Sequence, residues 1–437
     1  MRSYLVCFRD SCREEYPIDS VLYECPKCGG LLEAAYCWDR TAASGWKALW
    51  RNRRLDNSAL EQSGVWRYRE SIPFLEDVGQ IVSLREGNTP LLAAPLAAQY
   101  AGLDALTFKH QGFNPTGSFK DNGMTCGISQ AVRLGKTLVG CVSTGNTSAS
   151  MAAYASAAGL KPVVFLPHGN ISFGKLSQAL EYGALTLQVH ANFDQILAFV
   201  RQIADRAGLY LLNSINPFRI EGQKTIAIEM VDQLDWRVPD WVVMPGGNLG
   251  NCSAIGKGFL EMYEVGLIDR LPHIAVVQSV GSAPFFEFMK APSEGGFRPV
   301  ESPETLATAI RIGDPVSWPK AWSVLRRTNG VVERVSEQEI ADAKAVIGRA
   351  GIGCEPASAA TLAGIRKLVA NHIIQPDDHV VGVLTGNLLK DPDYIYRYHT
   401  GQLKTPAGEP ITSTYGNRPI DVAANADAVV GMLEKLQ

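Results

Sequence analysis

The chain has 437 residues, of which 46% are hydrophobic and 19% are charged, and its formal net charge is −3. We expect two or three globular domains, because this length exceeds one ordinary hydrophobic core. The charge argues against nucleic acid or an anionic membrane as the main partner, and no apolar run reaches transmembrane length. The first residues are too poor in apolar side chains for a secretory signal, and nine cysteines fit a reducing cytoplasmic environment better than a disulfide framework.

Four cysteines in the first thirty residues predict a structural metal site. Cys25 and Cys28 have C-x2-C spacing, so a tight turn can place both thiolates on one side of a tetrahedral ion. Cys7 and Cys12 form a wider pair, and four-thiolate zinc sites tolerate spacers of roughly two to four residues. We therefore expect residues 1–37 to form a zinc-ribbon-like segment. The alternative is a ribbon of free thiols.

The segment from Trp38 to about Asp77 is aromatic and basic, with Trp46, Trp50 and Trp66 among its residues. Alternating aromatic and arginine side chains can bind single-stranded nucleic acid. The negative net charge instead favours a helical segment that packs its tryptophans on a larger domain.

Short apolar strands alternate with helix-like stretches from Leu106 onward. The predicted strands are 106–109, 137–142, 162–166, 185–189, 241–244, 274–278, 330–333 and 380–384. The predicted helices include 123–134, 253–263, 356–371 and one that Ser336 caps, with Glu339 completing a capping box. This alternation is typical of parallel sheets covered by helices on both faces.

Lys120 lies in the run Asn114–Asp121, among small and turn-forming residues just before a predicted helix. Neighbours such as Ser118 and Phe119 can desolvate the amine, which lowers its pKa and frees it for Schiff-base chemistry. The alternative is an ordinary solvated surface lysine.

Ligands of parallel sheets bind beyond the carboxyl ends of the strands, where four loops of this chain are expected to meet. The glycine-rich loop 246–251 leads into a helix, which suits a phosphate monoester. It lacks the features of a nucleotide P-loop or a dinucleotide site. The loop 143–148 offers hydroxyls, an amide and helix N–H groups that suit a carboxylate and a ring oxygen. Each loop could also be a plain turn or helix cap.

The remaining two loops add a hydroxyl and a cation. Thr385 follows an apolar strand, and its neutral hydroxyl can bond a pyridine nitrogen without protonating it. Arg219, close to Asn213 and Ser214, carries the planar group that clamps phosphate in bidentate fashion. The alternatives are a helix cap and a solvated surface charge.

Taken together, these motifs resemble those of threonine synthases, which are fold-type II pyridoxal-phosphate enzymes. The matching segments are Glu86–Pro90, Asn114–Asp121, Ser143–Thr147, Asn213–Lys224, Pro245–Asn251, Ala309–Val316 and Leu384–Gly386. The N-terminal cysteine segment also looks like one that many threonine synthases carry.

The resemblance implies an α/β fold with two open, mostly parallel sheets covered by helices, as in the tryptophan synthase β chain, and a small N-terminal cysteine ribbon. The expected domains are a ribbon (1–37), a larger α/β domain (38–106 and 226–396), a smaller α/β domain (107–225) and a tail with a helix (397–437). A homodimer without nucleic-acid or membrane partners is expected.

The resemblance also implies residue roles around pyridoxal 5′-phosphate. Lys120 would form the internal aldimine, Asn146 would contact the ring 3-oxygen, and Thr385 would face the pyridine nitrogen. The cofactor phosphate would be held by Gly247, Asn248, Leu249, Gly250 and Asn251. The substrate's phosphate and carboxylate would be bound by Ser143, Thr147, Asn213, Ser214 and Arg219.

The implied reaction converts O-phospho-L-homoserine and water into L-threonine and phosphate. A related β-replacement enzyme acting on a phosphorylated amino acid, such as a cysteate synthase, or a dehydratase is the alternative within the same cofactor class. A catalytically inactive ligand- or nucleic-acid-binding protein is the alternative from another class.

Overall fold

The computed structural model describes residues 2–169, 173–191, 193–291 and 296–435. The strands are β1 (Ser3–Cys7), β2 (Glu15–Pro17), β3 (Leu32–Tyr36), β4 (Leu91–Ala93), β5 (Leu106–His110), β6 (Leu138–Val142), β7 (Lys161–Pro167), β8 (Leu185–Val189), β9 (Leu209–Leu211), β10 (Trp241–Pro245), β11 (His273–Ser279), β12 (Val331–Val335) and β13 (Val380–Leu384). The helices are α1 (Arg40–Ala43), α2 (Trp46–Arg54), α3 (Pro95–Ala101), α4 (Lys120–Arg133), α5 (Asn146–Ala157), α6 (Phe173–Glu181), α7 (Phe193–Ala204), α8 (Pro217–Gln233), α9 (Gly250–Glu264), α10 (Pro284–Lys290), α11 (Trp318–Arg327), α12 (Glu337–Arg349), α13 (Pro356–Ala370), α14 (Pro392–Thr400) and α15 (Ala426–Glu434).

Two sheets carry the α/β fold and confirm the predicted fold class. One has the order β12-β11-β10-β13-β5-β4, and all its neighbours are parallel except the edge strand β4. The other has the order β8-β7-β6-β9 and is parallel throughout. The parallel strands of each sheet therefore end at the same edge, and the loops predicted to bind ligands follow β6, β9, β10 and β13.

Strands β10 and β13 are buried along their whole length, because helices cover both faces of the sheet. Val242 and Val381 belong to one hydrophobic cluster, and their neighbours Val243 and Val380 belong to another. Successive side chains of a strand point to opposite faces, so the continuous apolar runs serve both clusters.

Two helices begin earlier than the sequence predicts, and the difference affects the site. The helix predicted over 123–134 begins at Lys120, and the one predicted over 253–263 begins at Gly250. Residues such as Gly117 and Gly250 favour turns, so the local sequence does not predict that the helices begin here. Tertiary contacts stabilise the first helical turns in spite of this low helix propensity. The capping box at Ser336 is confirmed, since Ser336 N donates to Glu339 Oε2 at 2.7 Å and Glu339 N donates to Ser336 Oγ at 3.2 Å.

The tryptophans of the segment after residue 38 pack into the protein, as predicted. Trp46 and Trp50 belong to the cluster around β10, and Trp66 lies between the N-terminal ribbon and helix α4. In the described part of the chain, the helices are all too short or too polar to span a bilayer.

The ribbon is a three-stranded antiparallel sheet in the order β2-β1-β3, which the sequence did not predict because its strands are only three to five residues long. The division into domains stays a prediction. Its boundaries at 106/107, 225/226 and 396/397 fall inside β5, α8 and α14. The last helix of the tail is α15, and residues 436–437 lie outside the described part of the chain.

Candidate functional site

The loop that carries Lys120 is joined to the end of strand β13. Phe119 N donates to Thr385 O at 3.0 Å, and Asn387 N donates to Gly117 O at 2.9 Å. Gly117 has a φ of +82°, a conformation that glycine adopts without strain. These bonds hold Lys120, in the first turn of α4, beside Thr385, although the two residues are distant in the sequence.

Asp121 fixes the shape of the same loop. Its carboxylate accepts hydrogen bonds from Thr116 N at 2.7 Å, from Thr116 Oγ1 at 2.6 Å and from Ser150 Oγ at 2.5 Å. Burial raises the pKa of Asp121 to about 6, against the opposing effect of these bonds. The turn before Lys120 is therefore closed by a buried carboxyl that also reaches helix α5.

Lys120 is half-buried, and the pKa of its amine is lowered to about 7. Burial is the main cause; the positive charge of Arg219 lowers the pKa further, and the carboxylate of Glu355 opposes the change. At neutral pH a large share of the amine is uncharged, which is the form that attacks an aldehyde or removes a proton. This agrees with the desolvated lysine that the sequence predicts.

Glu355 is a buried carboxyl that sequence reasoning missed. Asn146 Nδ2 donates to Glu355 Oε2 at 3.0 Å, and Thr385 Oγ1 donates to Glu355 Oε1 at 3.1 Å. Burial raises the pKa of Glu355, although these two bonds oppose the change. One carboxyl thus links the residue predicted to contact the ring 3-oxygen with the residue predicted to face the pyridine nitrogen. The signal in the sequence is a glutamate directly before Pro356, at the N-cap of helix α13.

The glycine-rich loop after β10 has the shape of an anion cradle. A Cβ atom on Gly247 would lie 2.9 Å from Ala309 O, so only glycine fits there without displacing the backbone. Leu249 adopts a left-handed conformation (φ +62°) immediately before helix α9 begins at Gly250. The turn exposes the N-terminus of a fifteen-residue helix, where backbone N–H groups favour negative charge.

The side chains of Asn251 and Asn248 have different roles in this cradle. Both side-chain polar atoms of Asn251 are buried and have no hydrogen-bond partner in the described part of the chain. Asn248 instead fastens the loop, since Val316 N donates to its Oδ1 at 3.0 Å and its Nδ2 donates to Ser214 Oγ at 3.2 Å. The unpartnered Nδ2 donor of Asn251 is the group that a bound phosphate would satisfy.

Asn213 is engaged by the backbone rather than directed at a ligand. Its Nδ2 donates to Val142 O at 3.0 Å, and its Oδ1 accepts from Val142 N at 3.1 Å. These two hydrogen bonds extend the pairing of β6 and β9, with the Asn213 side chain in place of a backbone partner. They fix the end of β6, where the loop that begins at Ser143 starts. Ser143 Oγ in turn accepts from Gly145 N at 3.2 Å, and Thr147 lies partly exposed in the first turn of α5.

Arg219 is buried to 2% exposure in the first turn of helix α8. Its Nη1 donates to Leu212 O at 3.0 Å, whereas its Nε has no partner and no described carboxylate forms an ion pair with it. Burial lowers the pKa of Arg219 to about 10. A buried guanidinium without a counterion is costly, so this position favours binding of an anion beside Lys120.

The residues fit a phosphorylated pyridine aldehyde. The cradle with Asn251 suits its phosphate, the uncharged amine of Lys120 suits its aldehyde, and Thr385 and Asn146 suit its ring. The predicted residues are therefore joined through β6, β9, β10 and β13 into one connected set, with Glu355 added to it.

Residues 82–386 match the family model described as pyridoxal-phosphate dependent enzyme. A threonine synthase of Methanocaldococcus jannaschii is 46% identical over 88% of this chain and 93% of its own length. Threonine synthase 2, chloroplastic, of Arabidopsis thaliana is 37% identical over 97% of this chain and 83% of its own length.

Solved structures resemble the fold at lower identity. A fungal L-serine ammonia-lyase from Rhizomucor miehei superposes with a TM-score of 0.61 at 22% identity, covering 70% of this chain and 97% of that one. A maize serine racemase superposes with a TM-score of 0.57 at 21% identity, covering 69% of this chain and 90% of that one. These likenesses concern the fold alone.

Proposed function

Since the chain belongs to the pyridoxal-phosphate dependent enzymes and, among them, to the threonine synthases, we propose that it converts O-phospho-L-homoserine and water into L-threonine and phosphate. The observation that supports this substrate most is Arg219, a buried guanidinium without a counterion in the described part of the chain, whose positive charge also lowers the pKa of the Lys120 amine. A phosphorylated substrate supplies the missing anion. An unphosphorylated substrate, as a dehydratase would use, leaves this charge unpaired.

The cofactor roles follow the arrangement of the loops. Residues 247–251 and the N-terminus of α9 would hold the cofactor phosphate, Thr385 would bond the pyridine nitrogen, and Asn146 would contact the ring 3-oxygen. Glu355 positions these last two residues. The single hydroxyl proton of Thr385, which Glu355 accepts without the cofactor, would be donated to the pyridine nitrogen when the ring is bound. When bound, pyridoxal phosphate would supply an electron sink for the carbon that carries the substrate's amino group, once that amino group has replaced the Lys120 amine on the aldehyde carbon.

Lys120 is the acid–base group of the proposed reaction. Its amine removes the α proton of the substrate and serves later proton transfers at the neighbouring carbons, which a pKa near working pH permits. Arg219 holds the substrate phosphate as its bond to the γ carbon breaks. Ser143, Thr147 and the N-terminus of α5 bind the substrate carboxylate, and Ser214 completes the phosphate site. Asn213 serves as a positioning residue that fixes the start of the Ser143 loop.

Substrate choice tests the proposal. We expect the purified protein with cofactor to release phosphate from O-phospho-L-homoserine and to leave O-phospho-L-serine essentially unreacted. Preferential reaction of phosphoserine would make the enzyme a β-replacement enzyme such as a cysteate synthase. Reaction of serine or threonine without phosphate release would make it a dehydratase.

The pH dependence of cofactor attachment tests the lowered pKa of Lys120. Because the uncharged amine reacts with the aldehyde, attachment to cofactor-free protein should accelerate as pH rises from 6 to 8 and level off above the pKa of about 7. With an ordinary lysine, the rate of cofactor attachment would still rise about tenfold per pH unit at pH 8. The measurement is the rate at which visible absorbance appears at each pH. A logarithm of this rate that keeps rising linearly through pH 9 would contradict the lowered pKa.

Replacing Glu355 tests its role as a positioning residue. Glu355→Gln keeps the shape but turns one of two acceptors into a donor, so either Asn146 or Thr385 loses its present bond. We expect kcat to fall about tenfold, equivalent to about 1.4 kcal/mol, with a shift of the cofactor absorbance maximum and a nearly unchanged KM. Glu409→Gln, at an exposed position of the tail, is the matched control. An unshifted spectrum would show that Glu355 does not position the residues that contact the cofactor ring.

Cytoplasmic location and a homodimer complete the proposal. None of the nine cysteines is joined to another by a disulfide bond, which supports a reducing compartment. Sedimentation at micromolar concentration tests the dimer, and a monomer mass would contradict it.

A further inference from the structure

The ribbon brings four thiols to one point. The Sγ atoms of Cys7, Cys12, Cys25 and Cys28 all lie within 4.8 Å of one another. The Cys7–Cys28 pair is 3.4 Å apart and the Cys12–Cys25 pair is 3.8 Å apart. Thiolates on a tetrahedral zinc ion, each about 2.3 Å from the metal, stand about 3.8 Å from one another. The spacing matches four ligands of one ion.

The backbone around the thiols has the form of two knuckles. Gly29 N donates to Cys25 O at 2.8 Å, and Arg13 N donates to Arg9 O at 3.0 Å. Each turn ends in a left-handed residue, Gly29 at φ +68° and Arg13 at φ +45°. A cluster of several irons would hold the four thiolates farther apart, and no polar side chain other than Tyr16, 3.2 Å from Cys25 Sγ, contacts the sulphurs among the described residues. The site is that of a closed structural ion.

The ribbon is fastened to helix α11 and to α8 and α9, the two helices that build the anion sites. Lys320 Nζ of α11 donates to Leu32 O at 2.7 Å, and Tyr36 OH donates to Glu221 Oε2 of α8 at 2.8 Å. Lys257 of α9 donates to Ala34 O. All three contacts reach strand β3, which begins at Leu32, shortly after Cys28 in the chain.

A buried ion network continues from this strand into the two helices. Glu221 pairs with Lys224 at 2.6 Å and with Lys257, and Lys224 pairs with Glu261 at 2.7 Å. Removing one partner of such a network leaves a buried charge uncompensated, so its geometry depends on every member. The apolar cluster of the ribbon, which contains Cys7 and Cys25, also includes Phe218, the residue before Arg219.

We propose that Cys7, Cys12, Cys25 and Cys28 bind one zinc ion, and that this ion holds strand β3 in place as a support for helices α8 and α9. Zinc loss then loosens the first turn of α8, which carries Arg219, and the first turn of α9, which follows the glycine-rich loop. The metal site and the support of the helices do not depend on the proposed reaction, and both are tested without substrate.

Metal analysis of the purified protein tests the site. We expect about one zinc per chain in the wild type and in Cys37→Ser, which alters an exposed cysteine outside the cluster. The double variant Cys12→Ser/Cys28→Ser changes the two more exposed ligands, and we expect its zinc content to fall at least about tenfold. Iron in place of zinc, metal-free wild-type protein from zinc-supplemented cultures, or equal zinc in the double variant would each overturn the proposal.

Hydrogen exchange of the intact chain tests the support of the helices. Removal of zinc with a chelator should accelerate exchange at the amides of α8 and α9 about tenfold or more, and added zinc should reverse the change. Strands β6 and β7 should not respond. Tyr36→Phe should keep the zinc and accelerate exchange most strongly in α8, whose Glu221 loses the hydrogen bond from Tyr36. Unchanged exchange in α8 and α9 after zinc loss, or in α8 of Tyr36→Phe, would overturn the coupling.

Discussion

Lys120→Ala abolishes turnover and removes the visible absorbance of the bound cofactor. Lys120 is both the attachment point and the acid–base group in this account, and loss of a positioned acid–base group alone lowers rates by about 10²–10⁴-fold. We expect kcat for phosphate release to fall at least about 10³-fold. Parallel spectra and phosphate assays of the wild type and the variant measure both effects.

The control for this variant is Lys161→Ala, which removes an exposed lysine from strand β7. It should keep full activity and the wild-type spectrum. Burial disfavours the charged form of Lys120, so Lys120→Ala should also keep or raise the thermal midpoint of the cofactor-free protein. A variant that is folded and retains more than about a tenth of the activity would refute the role of Lys120.

Arg219→Met raises the KM for O-phospho-L-homoserine about 100-fold, equivalent to about 2.7 kcal/mol, and leaves cofactor binding nearly unchanged. Methionine has a similar length but no charge, so the substrate phosphate loses its charge-assisted hydrogen bonds. Steady-state kinetics measures the KM, and titration with pyridoxal phosphate measures cofactor binding. Arg219→Lys should recover only part of the loss, because an ammonium cannot form the bidentate contact.

Stability gives a second readout for Arg219. The guanidinium is buried without a counterion, so Arg219→Met should raise the thermal midpoint in the absence of anions, and added inorganic phosphate should stabilise the wild type more than the variant. Arg206→Met, at an exposed position, is the control and should change neither KM nor stability. An unchanged KM for Arg219→Met would place the phosphate clamp elsewhere.

The sequence predicts the fold well because buried parallel strands are continuous apolar runs. Val380–Leu384 reads as a strand without any knowledge of its neighbours, and the alternation with helices then implies parallel pairing. Meeting of the loops within each sheet follows from the same rule, since parallel strands end at one edge. The contacts that join loops of the two sheets, such as Asn248 with Ser214, do not follow from it. Lys120 stands out for its small neighbours, which is a local property.

The features that the sequence does not predict depend on contacts between distant segments. Glu355 acquires its place from Asn146 and Thr385, whose numbers give no hint that they converge. Asn213 resembles a ligand donor in the sequence, yet its amide bonds to Val142. The start of α4 at Lys120 depends on the bond from Phe119 N to Thr385 O. Tertiary contacts decide all three.

Incubation of the enzyme with O-phospho-L-homoserine in ¹⁸O-labelled water tests the proposed reaction most directly. The proposed reaction yields one L-threonine for each phosphate released, with a single ¹⁸O atom in the threonine hydroxyl, because phosphate leaves the γ carbon and water adds at the β carbon. Phosphate release without threonine, with 2-oxobutanoate as the product, would contradict the account. Formation of homoserine, with its hydroxyl still on the γ carbon, would also contradict the proposed reaction, since it results from simple hydrolysis of the phosphate ester.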